Sequence, residues 1–115
     1  MTISLYLLPL QYFHRLNPHL YLSYCVAFSS GSAATSAVTH LLNHGDNILC
    51  IDDVYGGTQR YFRKIVNPSM NICVDFVDFD NEEETQAKLT PRTKLLWLES
   101  PTNPTLKVRT DSTFS

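Results

Sequence analysis

The sequence has no cluster of basic residues, and this absence limits its possible partners. Its 115 residues include 9 lysines and arginines against 11 acidic residues, which gives a formal net charge of -2. Proteins that bind nucleic acid usually present lysines and arginines together on one surface. We therefore expect no nucleic-acid partner, and the composition favours a neutral to acidic metabolic protein.

Cysteines are few, and none of them is paired in a Cys-x-x-Cys motif. Cys25, Cys50 and Cys73 each lie in or beside an apolar stretch typical of a strand. Disulfide frameworks and zinc sites need paired or regularly spaced cysteines. We expect buried, reduced thiols in a cytoplasmic protein, with no role in metal binding or redox chemistry.

Long apolar runs are also missing. The most apolar stretch at the start of the chain, Met1–Leu10, is interrupted by Pro9 and has no lysine or arginine before it. No small-residue cleavage site follows it closely, so it does not resemble a secretory signal. It is too short to cross a bilayer, and we expect no membrane association.

From Tyr24 onward, strand-like and helix-like patterns alternate. Four apolar runs predict strands, and three amphipathic or capped segments predict helices. The strands fall at 25–28, 48–51, 72–77 and 95–98, the third nearer an edge; the helices run over 32–43 and 58–66 and from Asn81. Gly45 and Asn67-Pro68 are stop signals for the first two helices, and Glu82–Glu84 suit the first turn of the third.

This alternation predicts an α/β fold with a partial, mostly parallel sheet and flanking helices, because parallel strands are joined by helical crossovers. Residues 24–108 form the predicted domain. Residues 1–23 show no sustained period and contain Pro9 and Pro18, which predicts an irregular N-terminal arm. Residues 109–115 form a tail.

Polar segments follow three of the predicted strands. They are Ser30-Gly31-Ser32, Asp52–Gly57 and Glu99–Pro104. Ligands of parallel sheets bind beyond the carboxyl ends of the strands, and the N–H groups that open a helix bind phosphate. The three segments therefore predict one shared pocket for a phosphate, an aromatic ring and an amide. The alternative for Ser30 is an ordinary helix N-cap.

Other chemistries fit the sequence less well. His40 and His44 have the i, i+4 spacing of zinc ligands but lack the glutamate and third ligand of a zincin, so we expect exposed histidines near a helix end. Asp52 and Asp53 point to opposite sides of a strand end, which favours a loop hydrogen-bond acceptor over a magnesium site. The serines lack the Gly-x-Ser-x-Gly elbow of a hydrolase.

Three segments together resemble one known family. Tyr24–Thr35, Asp52–Thr58 and Glu99–Thr105 are similar, in order and spacing, to the trans-sulfuration enzymes of cysteine and methionine metabolism, which depend on pyridoxal 5′-phosphate (PLP). The likeness runs from about Tyr24 to Val108. It implies the first part of the large domain of a type I PLP-dependent transferase fold. It also implies a carbon–sulfur lyase with an amino-acid substrate and a homotetrameric assembly.

The resemblance assigns cofactor-binding roles to five residues. The N–H groups of Gly31 and Ser32 would hold the phosphate, and Ser30 would shape the turn. Tyr55 would stack on the pyridine ring, and Asn103 would bind the ring hydroxyl oxygen or the substrate carboxylate. Tyr55 could instead cap the edge of the sheet, and Asn103 could cap its own turn.

The sequence departs from the family at its catalytic lysine, which forms a Schiff base with the cofactor in a Ser-x-x-Lys setting. Its four lysines, Lys64, Lys88, Lys94 and Lys107, lie in other settings. Asp111 lies too soon after Asn103 to match the family's pyridine-binding aspartate. We therefore expect a truncated form that is inactive alone. A synthase or other enzyme of the family, or a non-catalytic fragment, stays an alternative.

Overall fold

The computed structural model describes residues 2–7, 28–100 and 102–106. They form one four-stranded sheet with strand order β1-β4-β2-β3 and helices in the connections. The strands are β1 (Thr2–Leu7), β2 (Asn47–Ile51), β3 (Cys73–Val77) and β4 (Thr93–Ser100). The helices are α1 (Gly31–Thr39), α2 (Gly56–Tyr61), α3 (Asn67–Met70) and α4 (Glu82–Lys88), with a π-helical turn at Phe62–Val66 between α2 and α3.

Strand β2 forms the centre of the parallel part of the sheet. It pairs in parallel with β3 on one side and with β4 on the other, and all five of its residues are buried. A strand covered on both faces favours apolar side chains along most of its length, which explains the continuous run Ile48–Ile51 after the buried, hydrogen-bonded Asn47. The α/β prediction is confirmed, and within the described residues β3 lies at an edge of the sheet, in agreement with its alternating pattern.

The predicted N-terminal arm is not irregular throughout. Residues Thr2–Leu7 form β1, which pairs antiparallel with β4 from Thr2 opposite Ser100 to Leu7 opposite Leu95. The prediction of irregular structure is wrong for this segment, because a strand edge offers N–H and C=O groups that an extended segment can pair with whatever its side-chain pattern. The rest of the arm lies outside the described residues.

The first predicted strand is described only at its last residue. Phe28 lies outside any strand and is 46% exposed, so the expectation of a buried strand residue there is wrong. Residues 25–27 lie outside the described part of the chain.

Helix α1 ends at Thr39, four residues before the predicted end at Asn43. The backbone tightens there, because Leu41 N–H donates to the Val38 carbonyl and Leu42 N–H to the Thr39 carbonyl, each three residues back. Gly45 then takes the left-handed conformation, at φ 89°, that glycine adopts without strain. Gly45 is thus a stop signal for the turns that extend the helix.

The second helical segment runs past its predicted stop at Asn67-Pro68. Asn67 N–H donates to the Phe62 carbonyl, five residues back, so the chain enters α3 through a π-helical turn. Pro68 then stands in the first turn of α3, where the fixed φ of proline suits a helical backbone. The helix therefore continues to Met70 and ends at Asn71, a residue in the left-handed conformation.

Two of the three cysteines are described, and they differ in exposure. Cys50 lies in β2 and is fully buried, as expected, whereas Cys73 begins the edge strand β3 and is exposed. The prediction of a buried thiol is wrong for Cys73, because the first residue of an edge strand has a neighbour on one side only. Cys25 lies outside the described residues.

The core lies between the helical crossover and the sheet. Phe62 and Trp97 are almost completely buried, and their rings meet edge to face with centroids 5.2 Å apart. This is a preferred geometry for aromatic pairs. The contact fixes the crossover that follows β2 against β4, and so sets the position of the loop between β2 and α2.

Helix α4 begins as its sequence predicted. The Asn81 side chain accepts a hydrogen bond from Glu84 N–H at 3.1 Å, and Glu82–Glu84 fill the first turn. Their charges lie where the helix dipole favours negative side chains. None of the helices in the described segments is long and apolar enough to cross a membrane.

Candidate functional site

The first turn of α1 presents main-chain donors. Ser30 is the N-cap, and its hydroxyl accepts from Ala33 N–H at 3.1 Å while its carbonyl accepts from Ala34 N–H. The N–H groups of Gly31 and Ser32 have no acceptor among the described residues, and both residues are exposed. A Cβ added at Gly31 would meet no atom of the described residues within 4 Å, so those residues leave the space beside this turn open. Ser30 is therefore an N-cap, and the two free N–H groups can bind an anion.

The loops that follow β2 and β4 are joined to each other. The Asp53 carboxylate accepts hydrogen bonds from the N–H and the hydroxyl of Thr105, and the Asp53 carbonyl accepts a long one, 3.4 Å, from Asn103 N–H. These contacts link residues about fifty positions apart at the carboxyl ends of two neighbouring strands. The prediction that one of Asp52 and Asp53 is a loop hydrogen-bond acceptor is confirmed for Asp53.

Tyr55 lies at the N-cap of α2 and shows much of its ring to solvent. The residue is 50% exposed. Its ring lies directly over the next turn of backbone, because a Cβ added at Gly57 would come within 2.4 Å of the Tyr55 Cε1 atom. Real Cβ atoms do not approach other atoms so closely, so glycine at position 57 is what allows this ring position. An exposed aromatic face of this kind can stack on a planar ligand.

Glu99 holds the main chain of Tyr55. The Glu99 side chain is 1% exposed at the end of β4, and its Oε2 atom accepts from Tyr55 N–H at 3.0 Å. Its Oε1 atom accepts from the Trp97 indole N–H at 3.4 Å. A buried carboxylate is stable only when its oxygens accept hydrogen bonds or meet a cation. Within residues 28–100 and 102–106, no lysine or arginine forms an ion pair with it.

Sequence reasoning named Glu99 only as the first residue of a loop and missed this contact. The available signal was a carboxylate placed directly after the buried run Leu95–Leu98 on a strand that continues through it. A charged residue inside a buried strand must find a partner. Which partner it finds depends on the fold.

The same part of the sheet changes the acidity of Cys50. Burial raises the pKa of this thiol far above its ordinary value, and the negative charges of Glu99 and Asp52 act in the same direction. Cys50 therefore stays a protonated thiol at neutral pH and is not a nucleophile.

The predicted site residues fall into two groups. Tyr55 and Asn103 lie on loops that contact each other at the carboxyl end of the sheet. The contacts described for Ser30–Ser32 stay within α1. The other end of α1 contacts α2, the helix that follows Tyr55, where the Thr39 and Tyr61 hydroxyls are 3.1 Å apart. That all three segments share one pocket stays a prediction.

The described lysines make contacts away from Tyr55 and Asn103. Lys88 pairs with Asp75 at 3.4 Å, Lys94 donates to the Pro91 carbonyl, and Lys64 is exposed on the π-helical turn. The histidines also have local partners, since the Nδ1 atom of His40 lies 2.7 Å from the Ser36 carbonyl and that of His44 lies 3.2 Å from the Asn71 amide. The described residues contain no group of three potential metal ligands.

Comparison with known proteins identifies the family. The model of the Cys/Met metabolism PLP-dependent enzymes matches residues 21–112. The chain belongs to this family. The match includes all three segments that follow the predicted strands, Ser30–Ser32, Asp52–Gly57 and Glu99–Pro104.

Several proteins of known name are similar to this chain over part of their length. Cystathionine gamma-lyase from Homo sapiens is 54% identical over 85 residues, which cover 74% of this chain and 21% of the human protein. Cystathionine gamma-lyase from Lactobacillus plantarum, solved in complex with L-serine, is 40% identical with a TM-score of 0.66 over 70% of this chain and 21% of that one. The metB structure from Corynebacterium glutamicum gives 39% identity, a TM-score of 0.66 and the same coverage. The chain thus spans about a fifth of the length of these relatives.

The described residues suit part of the cofactor that this family uses. The N–H groups of Gly31 and Ser32, which meet no acceptor among residues 2–7, 28–100 and 102–106, are donors for a phosphate, and the exposed Tyr55 ring is a face for a planar heterocycle. The described lysines, by contrast, make their contacts elsewhere. The chain therefore offers groups that fit the phosphate and the ring of PLP, and within the described residues no lysine forms a hydrogen bond or ion pair with Tyr55 or Asn103.

Proposed function

We propose that this chain carries the phosphate-binding and ring-binding parts of a PLP site. The observation that carries the proposal is the pair of N–H groups at Gly31 and Ser32, which open α1 and have no acceptor within the part of the chain that the structure describes. A phosphate there would accept both hydrogen bonds and meet the positive end of the α1 dipole. Ser30 keeps the turn in place by capping α1.

The other two predicted residues would hold the ring. Tyr55 would cover one face of the pyridine, and Asn103 would donate from its amide to the ring hydroxyl oxygen or to the substrate carboxylate. Both side chains are exposed, and their loops are joined by Asp53, so they can face one ligand together. When bound, PLP supplies an electron-withdrawing ring that stabilises negative charge at the α-carbon of an amino-acid substrate.

The activity we propose for the whole enzyme is that of a cystathionine gamma-lyase, a cytoplasmic enzyme that cleaves cystathionine to cysteine, 2-oxobutanoate and ammonia. The names of the similar proteins support this choice over a cystathionine gamma-synthase. We propose a homotetramer for the whole enzyme and no catalysis by this chain alone, since its described lysines lie elsewhere. The second possibility is that the chain is a non-catalytic fragment. Release of 2-oxobutanoate from cystathionine by the purified chain would contradict that possibility and also the proposed inactivity of the chain alone.

The binding proposal can be tested with 4′-deoxypyridoxine 5′-phosphate, which keeps the ring and phosphate of PLP but has no aldehyde to react with surface lysines. Gly31→Pro removes one donor at the first helical position, where proline suits the backbone after the extended Ser30. We expect the dissociation constant to rise about tenfold or more, because a hydrogen bond to a charged group contributes about 1.5–3 kcal/mol. The measurement is a titration followed by fluorescence of Trp97, the one tryptophan of the chain.

Gly31→Ala is the matched control. It keeps the N–H group and adds a Cβ that meets nothing within 4 Å, so binding should change little. Neither variant should alter the weaker binding of 4′-deoxypyridoxine without its phosphate. Equal effects of Gly31→Pro on the two ligands would contradict phosphate binding at this turn.

A further inference from the structure

We infer that Glu99 and Gly57 are positioning residues that together determine where the Tyr55 ring lies. The inference rests on the proposed function, since it concerns the ring that would stack on the cofactor. Neither residue is expected to touch the ligand. Glu99 acts on the main chain of Tyr55, and Gly57 acts on the side of its ring that faces the protein.

The Glu99 contact ties the start of α2 to the end of β4. Tyr55 is the N-cap of α2, and its side chain makes no capping hydrogen bond. Its N–H group instead donates to Glu99 Oε2 at 3.0 Å, across 44 positions of sequence. The carboxylate is itself held by the Trp97 indole and by burial, so it is a rigid acceptor. The Cα atom from which the Tyr55 ring projects is therefore fixed relative to the sheet.

The Gly57 contact fixes the ring on that Cα atom. The Tyr55 ring lies so close to the backbone of residue 57 that an added Cβ would be 2.4 Å from Cε1, 3.1 Å from Cζ and 3.2 Å from Cδ1. Any side chain at position 57 would therefore force the ring to leave this position. Gly56, one residue earlier in the same turn, has nothing within 4 Å of its added Cβ. The two adjacent glycines thus differ in function.

The need for positioning follows from the exposure of the ring. A half-exposed tyrosine has room to change its side-chain rotamer, and stacking gains energy only when the ring faces the ligand at contact distance. Two constraints, one on the main chain and one under the ring, reduce this freedom before a ligand arrives. Preorganisation of this kind increases affinity by lowering the entropy lost on binding.

The experiment measures binding of 4′-deoxypyridoxine 5′-phosphate by the full 115-residue chain and by four variants. Tyr55→Ala should weaken binding by up to about tenfold, since a stacked aromatic pair contributes at most about 1.5 kcal/mol. Glu99→Gln and Gly57→Ala should each weaken it about threefold, a part of that loss. Gly56→Ala should bind like the unaltered chain. Gly57→Ala and Gly56→Ala should both melt at or above the normal temperature, because alanine favours a helix.

A double-mutant cycle separates positioning from general damage. In a Tyr55→Ala background there is no ring to position, so Glu99→Gln and Gly57→Ala should lose their effect on affinity. If either weakens binding equally with and without Tyr55, the inference is overturned for that residue. If the two variants bind normally while Tyr55→Ala binds weakly, the inference fails and the proposed function stands. If the unaltered chain does not bind the ligand, both are overturned.

A second measurement needs no variant and covers the case in which Glu99→Gln does not fold. The Tyr55 amide proton should exchange with solvent slowly in the unaltered chain, because its acceptor is a buried carboxylate. Exchange at the rate of an unprotected amide would show that Glu99 does not hold this position, and would overturn the inference without bearing on phosphate binding at α1.

Discussion

The two ends of the parallel sheet carry similar polar residues but use them differently. At the amino end, the Asn47 side chain donates to Asp75 at 2.8 Å and accepts from the Thr93 hydroxyl at 2.9 Å, so one amide joins all three parallel strands. Asn47 and Thr93 are buried. At the carboxyl end, Asp53 and Glu99 also join segments that are distant in sequence, but there Tyr55 and Asn103 stay exposed.

The difference separates structure from function. At the amino end each polar group described above forms a hydrogen bond with another polar group of the protein. These hydrogen bonds stabilise the pairing of the strands, and the groups that form them are not available to a ligand. At the carboxyl end, hydrogen bonds fix the main chain and leave side chains free to bind. We expect substitutions at the amino end to change stability alone, and substitutions at the carboxyl end to change ligand binding as well.

The largest expected effect comes from the core that supports both ends. Phe62→Ala removes a ring with no solvent exposure and its edge-to-face contact with Trp97. We expect the free energy of unfolding in urea to fall by about 3–5 kcal/mol, the usual cost of emptying such a site. Ile65→Ala, on the same π-helical turn but 47% exposed, is the control and should change it by less than about 0.5 kcal/mol. A similar loss in both variants would show that Phe62 is not part of the core.

The next effect tests the amino end alone. Asn47→Ala leaves the buried Thr93 hydroxyl and the Asp75 carboxylate without their shared partner. We expect a loss of about 1–3 kcal/mol in the free energy of unfolding, because unsatisfied buried polar groups are costly. Binding of 4′-deoxypyridoxine 5′-phosphate to the folded variant should be unchanged. The exposed Asn43 provides a control, since Asn43→Ala should alter neither quantity.

The third prediction uses the pH dependence of stability near the carboxyl end. The Cys50 pKa is raised in the folded chain, whereas an unfolded cysteine titrates near about 8.5. Above that pH the unfolded state releases a proton that the folded state keeps. The contribution of Cys50 to the free energy of unfolding is therefore fully present below about pH 8.5. Above that pH it falls by up to about 1.4 kcal/mol per pH unit.

Two alanine variants isolate this contribution. Unfolding in urea at a series of pH values from 7 to 10 should show a shallower decline for Cys50→Ala than for the unaltered chain. Cys73→Ala removes an exposed thiol and should keep the full decline. Parallel declines in all three proteins would contradict the raised pKa.

The smallest expected effect on stability is at Asp53. Asp53→Ala removes the acceptor for the Thr105 N–H and hydroxyl at the surface. We expect a loss of about 1 kcal/mol in the free energy of unfolding, because exposed hydrogen bonds contribute little, but about threefold weaker ligand binding as the Asn103 loop loosens. Asp52→Ala, at the neighbouring position, should leave binding unchanged. If Asp53→Ala costs stability but not affinity, the two ends of the sheet do not differ in function.

Much of the fold was predictable because it depends on local patterns. The apolar runs at β2 and β4, the alternation at β3 and the Asn81 cap of α4 each follow from residues close in sequence. The predictions that were wrong concern features that depend on distant residues or on solvent exposure, among them the burial of Phe28 and Cys73. The antiparallel strand β1 depends on the open edge of β4, and the continuation of the helix through Pro68 depends on a π-helical turn that shifts the hydrogen bonds.

By itself the sequence determined the α/β class, the family and five candidate residues, because periodicity and short motifs are properties of neighbouring positions. Tertiary structure decided which residues from distant parts of the sequence contact each other. It joined Asp53 to Thr105 and Glu99 to Tyr55, across 52 and 44 positions. The physical reason is plainest for Glu99, because a buried carboxylate requires hydrogen-bond donors and only the packing of β4 beside β2 decides which N–H groups are within its reach.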